Sequence, residues 1–368
     1  MLSNFSRHTR RTIAFCLTFA LCSTALTRPL AAQSEVVRAH EEAVADDPSA
    51  TVFGKVVQAG AKILGKGTKP STEKEILDAE PKGNSTTAAR KQAIAALPLD
   101  HLTAEQRDRV AGITKNVSFY RRLPKVSFPV EPEVYKYFLS HPDVAVSVWR
   151  AMQISKLQMF QTGKHEYEAD AGDGSVGAIE IVHSGPDKHL AICEGSFTNP
   201  ILKTPVEAHS LLLLQTSFIT EADGTIMLTH RADLFISFPS QTIDVAAKVF
   251  SPLTVSLTDR TFTEVSMFVR MMSIAMSRRP DWVEQLTEKM DGIPEIRKKQ
   301  LMELTISTHS RAIQRAVEQA EFEQGEDAAL DEPGIQRVSK PVEPSRSDSV
   351  PPRRLPNRGP ASSRGEVR

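Results

Sequence analysis

The middle of the chain, from about residue 156 to residue 238, alternates apolar and polar side chains with a period of two. This alternation is typical of β-strands that bury one face. Clusters of Gly, Asp, Ser and Pro interrupt it and predict turns, of which Asp223-Gly224 is a strong hairpin signal. The predicted strands are 156–169, 176–183, 189–197, 209–220 and 225–238. Together they predict an antiparallel sheet, with a crossing loop or bent edge at 199–206.

On both sides of this segment, apolar residues recur every three or four positions, which predicts helices. Thr103 and Gln106 form a capping-box pattern at the start of one of them. The predicted helices are 86–97, 103–115, 132–139, 142–152, 281–289 and 295–323, together with 242–256 and 262–277, which form one long helix or a broken pair. A short strand at 125–130, bounded by prolines, is expected at a sheet edge.

These elements and the composition divide the chain into six parts. They are a signal peptide at 1–32, a low-order linker at 33–85, short helices at 86–116, an α+β domain at 117–280, further helices at 281–323 and a tail at 324–368 rich in Pro, Arg and Ser. The tail has too few large apolar residues to offset the entropy of ordering it, so we expect it to be disordered.

The N-terminus has the plan of a secretory signal peptide. A basic head that includes Arg10 and Arg11 precedes an uncharged apolar run at 12–26, and the small residues Ala31 and Ala32 follow. We expect cleavage near Ala32 and an exported protein, periplasmic or extracellular. The run of 15 residues is shorter than the roughly 20 that a membrane-spanning helix needs. Twin-arginine export, lipidation at Cys22 and an uncleaved N-terminal anchor stay open as alternatives.

Charge and cysteine content narrow the function classes. The chain has 45 basic and 45 acidic residues, so it offers no general attraction for nucleic acid. After removal of the signal peptide we expect no stable membrane span. The mature chain keeps only Cys193, which lies in an apolar strand-like run, and a buried, inert thiol is the expectation there.

The order of elements resembles the helix-grip fold of the START-like and polyketide-cyclase-like superfamily. The resemblance covers about 117–277 and rests on a strand, two short helices, a run of antiparallel strands and a long apolar helix. It implies an α+β fold in which an antiparallel sheet wraps around a long C-terminal helix and leaves an apolar cavity, here with extra helices at both ends and disordered tails. One strand of that plan is missing or hidden in 199–206. The chain is also similar to a family of exported bacterial proteins with no established activity, which implies location and fold but no reaction.

Candidate catalytic residues are few. His230 is the one polar ring on an apolar strand face, and Glu194 shares a face with Leu190 and Ile192. If they met in a pocket, Glu194 and His230 would form an acid/base pair for a cyclase- or hydrolase-like enzyme. The alternative is a core histidine satisfied by one neighbour. No HExxH, His-x-His or CxxC motif appears, so neither a metal nor another cofactor is predicted.

The leading hypothesis is a non-catalytic protein that binds an apolar or amphipathic small molecule, such as a lipid, between the sheet and the methionine-rich helix. Methionine side chains adapt to varied apolar shapes. The candidate ligand-binding residues are Leu228, His230, Leu234, Met267, Met271 and Ile274. The second hypothesis is a structural or protein-interaction module of the cell envelope, with an envelope protein as partner and the helix at 295–323 as its surface.

Overall fold

A large antiparallel sheet dominates the computed structural model, which describes residues 77–80, 82–172, 174–198, 205–238 and 252–330. Within these residues the sheet has nine strands. They are β1 (Asp78–Ala79), β2 (Phe119–Arg122), β3 (Val126–Pro129), β4 (Gln158–Gln161), β5 (Glu166–Asp170), β6 (Val176–Ser184), β7 (Lys188–Thr198), β8 (Pro205–Thr220) and β9 (Ile226–Ser237). Their spatial order is β1-β3-β9-β8-β7-β6-β5-β4, and β2 also pairs with β9.

Helices precede, interrupt and follow the strands. They are α1 (Thr87–Ala95), α2 (Ala104–Lys115), α3 (Pro132–Ser140), α4 (Pro142–Ala151), α5 (Pro252–Arg278), α6 (Pro280–Glu288) and α7 (Glu295–Leu330), with a short 3-10 turn at Leu99–His101. The chain order β3–α3–α4, then β4 to β9, then α5 is helix-grip-like. The predicted α+β class, with an antiparallel sheet against a long helix, is confirmed.

Helices cover both faces of the sheet. On the inner face, Phe128 and Leu228 are buried in one core with residues of α3 and α5, including Met267. On the outer face, a second core holds Leu211, Phe235 and apolar residues of α1 and α2. The second half of β9, residues 232–237, is therefore buried on both sides. Asp233 lies on the outer face of that strand and is fully buried, because α1 and α2 cover it.

Asp233 is stabilised by direct partners on the outer side of the sheet. It accepts hydrogen bonds from the Tyr120 hydroxyl at 2.6 Å and from Arg122 Nε at 2.8 Å. A buried carboxylate needs such pairing because its removal from water is costly. Strand alternation places Asp233 on the face opposite His230, but alternation alone does not show that other parts of the chain cover that face.

Three strand predictions were wrong in detail. The segment 156–169, predicted as a single strand, forms the hairpin of β4 and β5. A hydrogen bond from the Thr162 amide to the Glu166 carbonyl oxygen, at 2.9 Å, closes this hairpin. This hairpin supplies the strand of the helix-grip plan that the sequence analysis gave as missing or hidden in 199–206. Of that segment the structure describes residues 205 and 206, which belong to β8 and pair with β7. The strand at 125–130 is not the outermost strand, because β1 pairs with its free side, and β1 lies inside the predicted linker. The strand β2 was not predicted.

The helix predictions agree closely with the structure. Thr103 and Gln106 form the predicted capping box at the start of α2. The helix predicted at 295–323 continues to Leu330. Among the described residues, no helix is long and apolar enough to cross a membrane. The predicted signal peptide at 1–32, residues 33–76 of the predicted linker, part of the helix predicted at 242–256 and the tail from residue 331 lie outside the described residues.

Contacts divide the chain into two units, residues 1–317 and residues 318–368. The first contains the sheet, helices α1 to α6 and residues 295–317 of α7. Of the second, the structure describes residues 318–330, which are helical.

Candidate functional site

His230 lies on the inner face of the sheet, where β9 meets α3 and α5. Its Nε2 lies 2.7 Å from Ser266 Oγ, and its Nδ1 lies 3.2 Å from the Tyr135 hydroxyl. Ser266 donates its own hydroxyl proton to the Phe262 carbonyl oxygen at 2.7 Å. Ser266 Oγ must therefore accept from Nε2–H, which leaves Nδ1 to accept the Tyr135 proton. Both ring nitrogens are occupied in the neutral tautomer.

Aromatic rings enclose the same imidazole. The Phe262 ring centroid lies 4.8 Å from that of His230, and the Phe128 ring meets it edge-on at 5.5 Å. Only 5% of the residue is exposed. Burial lowers the pKa of His230 to about 3, because the charged form loses its hydration in this apolar setting. The imidazole is therefore neutral at neutral pH.

Thr216 is a polar residue at this site that the sequence analysis did not identify. It lies directly opposite His230 in the β8–β9 pairing, so both side chains point to the inner face. Phe218, two residues along β8, shares that face and contacts the ring of Tyr135 edge-on at 5.9 Å. The Thr216 hydroxyl oxygen is buried and has no hydrogen-bond partner in the described part of the chain. Among the described residues, this hydroxyl is therefore an unsatisfied polar group beside an apolar core.

The predicted ligand-binding residues are partly brought together. Leu228, Met267 and Met271 are buried in the inner core, and His230 lies beside Leu228 on the inner face of β9. Leu234 is also buried, on the same face of β9 but four residues beyond His230. Ile274 is only half-buried on α5. The inner face therefore combines apolar and thioether side chains with the Thr216 hydroxyl and the hydrogen-bonded group around His230.

Glu194 and His230 do not form a pair. Thr216 lies opposite His230, and Leu212, four residues earlier on β8, lies opposite Ala191. Ala191 therefore points to the inner face and Glu194, three residues further along β7, points to the outer face. The predicted acid/base couple is wrong, because the strand register puts the sheet between the two side chains.

On the outer face, Glu194 has a structural partner. Arg109 of α2 donates from Nε to Glu194 Oε1 at 3.0 Å and also pairs with Glu180. The arginine thereby holds α2 to β6 and β7. Cys193, the residue before Glu194 in β7, points to the inner face and is buried, and burial raises the pKa of its thiol to about 12. The thiol is protonated and shielded, in line with the expected inert cysteine.

A second polar group lies where the α3–α4 turn meets the start of α7. Asp143 is fully buried, and both of its carboxylate oxygens are without a hydrogen-bond partner among the residues that the structure describes. Nearby, His141 Nδ1 and Arg297 Nε are unpartnered in the same sense, while Arg297 Nη1 lies 3.3 Å from His141 Nε2. Burial raises the pKa of Asp143 above its usual 3.8 and lowers that of His141 to about 4.

The sequence offered little sign of this group. Asp143 and His141 flank Pro142 and look like the ordinary start of a helix. Arg297 comes from a distant part of the chain and reaches them only through the packing of α7. Across the described residues, no three His, Cys, Asp or Glu side chains converge as metal ligands.

No protein-family model and no curated protein matches the chain. Among solved structures, it is similar to a conserved protein from Geobacillus kaustophilus, at 13% identity over 39% of this chain and 91% of that chain, with a TM-score of 0.25. It is similar to DynU16, from the dynemicin biosynthetic locus, at 17% identity over 47% of this chain and 51% of that one, with a TM-score of 0.23. It therefore spans about half the length of DynU16.

A third similar structure is the human StarD13 (DLC2) lipid transfer and protein localization domain. The identity is 14% over 40% of this chain and 77% of that chain, with a TM-score of 0.22. All three TM-scores are far below 0.5, so the description of the fold depends on the strand order and helix packing of this chain itself.

Proposed function

We propose that this protein binds an apolar or amphipathic small molecule between the inner face of the sheet and α5, without catalysing a reaction on it. The observation that carries the proposal is the hydroxyl of Thr216, which is buried on a mostly apolar face and has no partner among the described residues. Small-molecule sites are mostly apolar and contain a few polar groups that orient the ligand. A buried hydroxyl without a partner is costly, and a ligand that supplies the missing hydrogen bond recovers that cost.

The composition of α5 supports the same proposal. Met267, Met271, Met272 and Met276 are all buried in the inner core, and they are spread over about half of the circumference of this helix. Unbranched thioether side chains change rotamer at little cost and fit ligands of varied shape. A binding protein for lipid-like molecules needs this adaptability more than it needs charged groups.

The geometry does not favour catalysis at this site. Both nitrogens of His230 are already hydrogen-bonded, to Tyr135 and Ser266, and the ring has lost most of its basicity through burial. Glu194 is on the other side of the sheet. Export remains a prediction from residues 1–32, and it places the proposed binding protein in the periplasm or outside the cell.

Binding is testable with N-phenyl-1-naphthylamine, a neutral apolar probe whose emission rises in apolar surroundings and whose N–H donates a hydrogen bond. We expect saturable binding of one probe per chain. Met271→Trp puts bulk into the proposed site and should abolish binding. Ile219→Trp, at a residue of β8 that is 63% exposed, is the matched control and should leave binding unchanged. Equal binding by both variants, or no saturable binding by the natural chain, would contradict the proposal.

A further inference from the structure

Helix α7 carries apolar residues on two different sides. Leu301, Thr305 and Thr308 are fully buried, and they form the side that packs against the domain. Ile306, Ile313 and Val317 are exposed by 60%, 53% and 50%. Their spacings of seven and four residues put them on one side of the helix, roughly 140° around from Leu301 at 100° per residue. This exposed stripe, Ile306–Ile313–Val317, is separate from the contact with the domain.

The helix has little support of its own along this stretch. From Ile313 to Glu321 every residue except Arg315 is exposed. Isolated helices of this length are marginal in water, and proteins stabilise them mostly by tertiary packing. The stripe has the spacing of a coiled-coil seam, in which a second helix provides that packing.

Charge along α7 indicates which helix that is. Residues 318–330 contain Glu318, Glu321, Glu323, Glu326 and Asp327 and no basic residue, whereas the first two turns contain Arg297, Lys298 and Lys299 against one acidic residue, Glu295. Acidic residues near a helix C-terminus and basic residues near its N-terminus both oppose the helix dipole. An antiparallel second copy of α7 would place each acidic end beside the basic, positively polarised start of the other.

We infer that the exposed stripe is the interface of a homodimer, in which α7 of two chains pair antiparallel with Ile306 of each copy near the other copy's Val317. Ile313 of both copies then lies close to the two-fold axis. The arrangement is self-complementary, as a two-fold interface requires. It goes beyond the proposed ligand binding and does not depend on it, because the stripe lies on a different part of the molecule.

The test is the mass of the purified natural chain by sedimentation equilibrium across a range of concentrations. We expect reversible association to the mass of two chains. Ile313→Glu puts a charge at the axis and should weaken association at least tenfold, since loss of a central apolar anchor typically costs more than about 1.4 kcal/mol. Gln319→Glu, on another side of α7, is the matched control and should associate like the natural chain. Circular dichroism establishes that both variants fold.

Orientation is tested by oxidation of an equal mixture of Ile306→Cys and Val317→Cys chains, which should give a mixed disulfide-linked dimer. Ile306→Cys alone should not cross-link, because only a parallel pair would bring two copies of residue 306 together. Cys193 is buried and does not compete. A natural chain that stays monomeric at every concentration overturns the inference, and so does a dimer that Ile313→Glu and Gln319→Glu weaken equally. A monomeric natural chain is also the result expected if another segment of the same chain covers the stripe.

Discussion

Replacing Thr216 by valine should make the ligand-free protein more stable and its ligand binding weaker. Valine has nearly the shape of threonine, so the substitution replaces the hydroxyl by a methyl group without opening a cavity. Because that oxygen is buried and unpartnered in the described structure, the folded chain loses a desolvation cost of about 1–3 kcal/mol and no hydrogen bond. We expect the free energy of unfolding to rise by about 1 kcal/mol, which corresponds to roughly 2–4 °C in Tm for a folded domain of about 150–250 residues.

Ligand binding should change in the opposite direction. A ligand that donates a hydrogen bond to Thr216 loses about 0.5–1.5 kcal/mol in the valine variant, which weakens binding roughly 2- to 12-fold. Urea unfolding of ligand-free protein gives the first quantity, and titration with N-phenyl-1-naphthylamine gives the second. Greater stability together with weaker binding is typical of a residue retained for function.

The matched control is Thr229→Val on the neighbouring strand. The Thr229 hydroxyl lies 2.8 Å from Ser127 Oγ, so its removal breaks a hydrogen bond and should lower the free energy of unfolding by about 1 kcal/mol. If Thr216→Val also destabilises the ligand-free protein, then its hydroxyl has a partner in the folded chain, and the reasoning that assigns it to a ligand is refuted.

Three further predictions follow from buried groups. The pKa of His230 is lowered from 6.5 to about 3, so the free energy of unfolding of the natural chain should fall as the pH falls below 6.5, by about 2 kcal/mol from this group at pH 5. In urea unfolding at pH 5 and pH 7, His230→Gln should show a smaller difference between the two pH values than the natural chain. The pKa of Asp143 is raised, so the buried carboxylate lowers the free energy of unfolding as the pH rises above 3.8 and the group ionises. Asp143→Asn should therefore be stabilised relative to the natural chain by more at pH 7 than at pH 4. An equal gain at both pH values would contradict the burial argument. Leu228→Ala removes a fully buried side chain from the inner core and should cost about 2–5 kcal/mol by urea unfolding, whereas a cost below 1 kcal/mol would mean that the site is loosely packed.

Periodicity was sufficient for most of the fold. Long strands such as β8 and β9 show many repeats of the alternation, and capping residues define the start of α2. The failures have physical causes. Strands β1, β2, β4 and β5 are two to five residues long, too short for a period to stand out, and the polar turn between β4 and β5 was included in one predicted strand.

The candidate site was harder to predict, because it depends on register and on hydrogen-bond satisfaction. The faces of single strands were assigned correctly, but the relation between Glu194 and His230 required the pairing of β7, β8 and β9. Thr216 looks in sequence like any strand threonine, and only the surrounding packing shows that its hydroxyl has no partner within the described residues. The Asp143 group likewise exists only because α7 brings Arg297 to it.

The most direct test of the account is native mass spectrometry of the protein purified from the compartment to which its own cells deliver it, followed by denaturation and extraction of the same sample. The account predicts a discrete added mass that is lost on denaturation and that the extract identifies as an apolar or amphipathic molecule. A clean mass of the chain alone, in a sample that also fails to bind N-phenyl-1-naphthylamine, would contradict the proposed function.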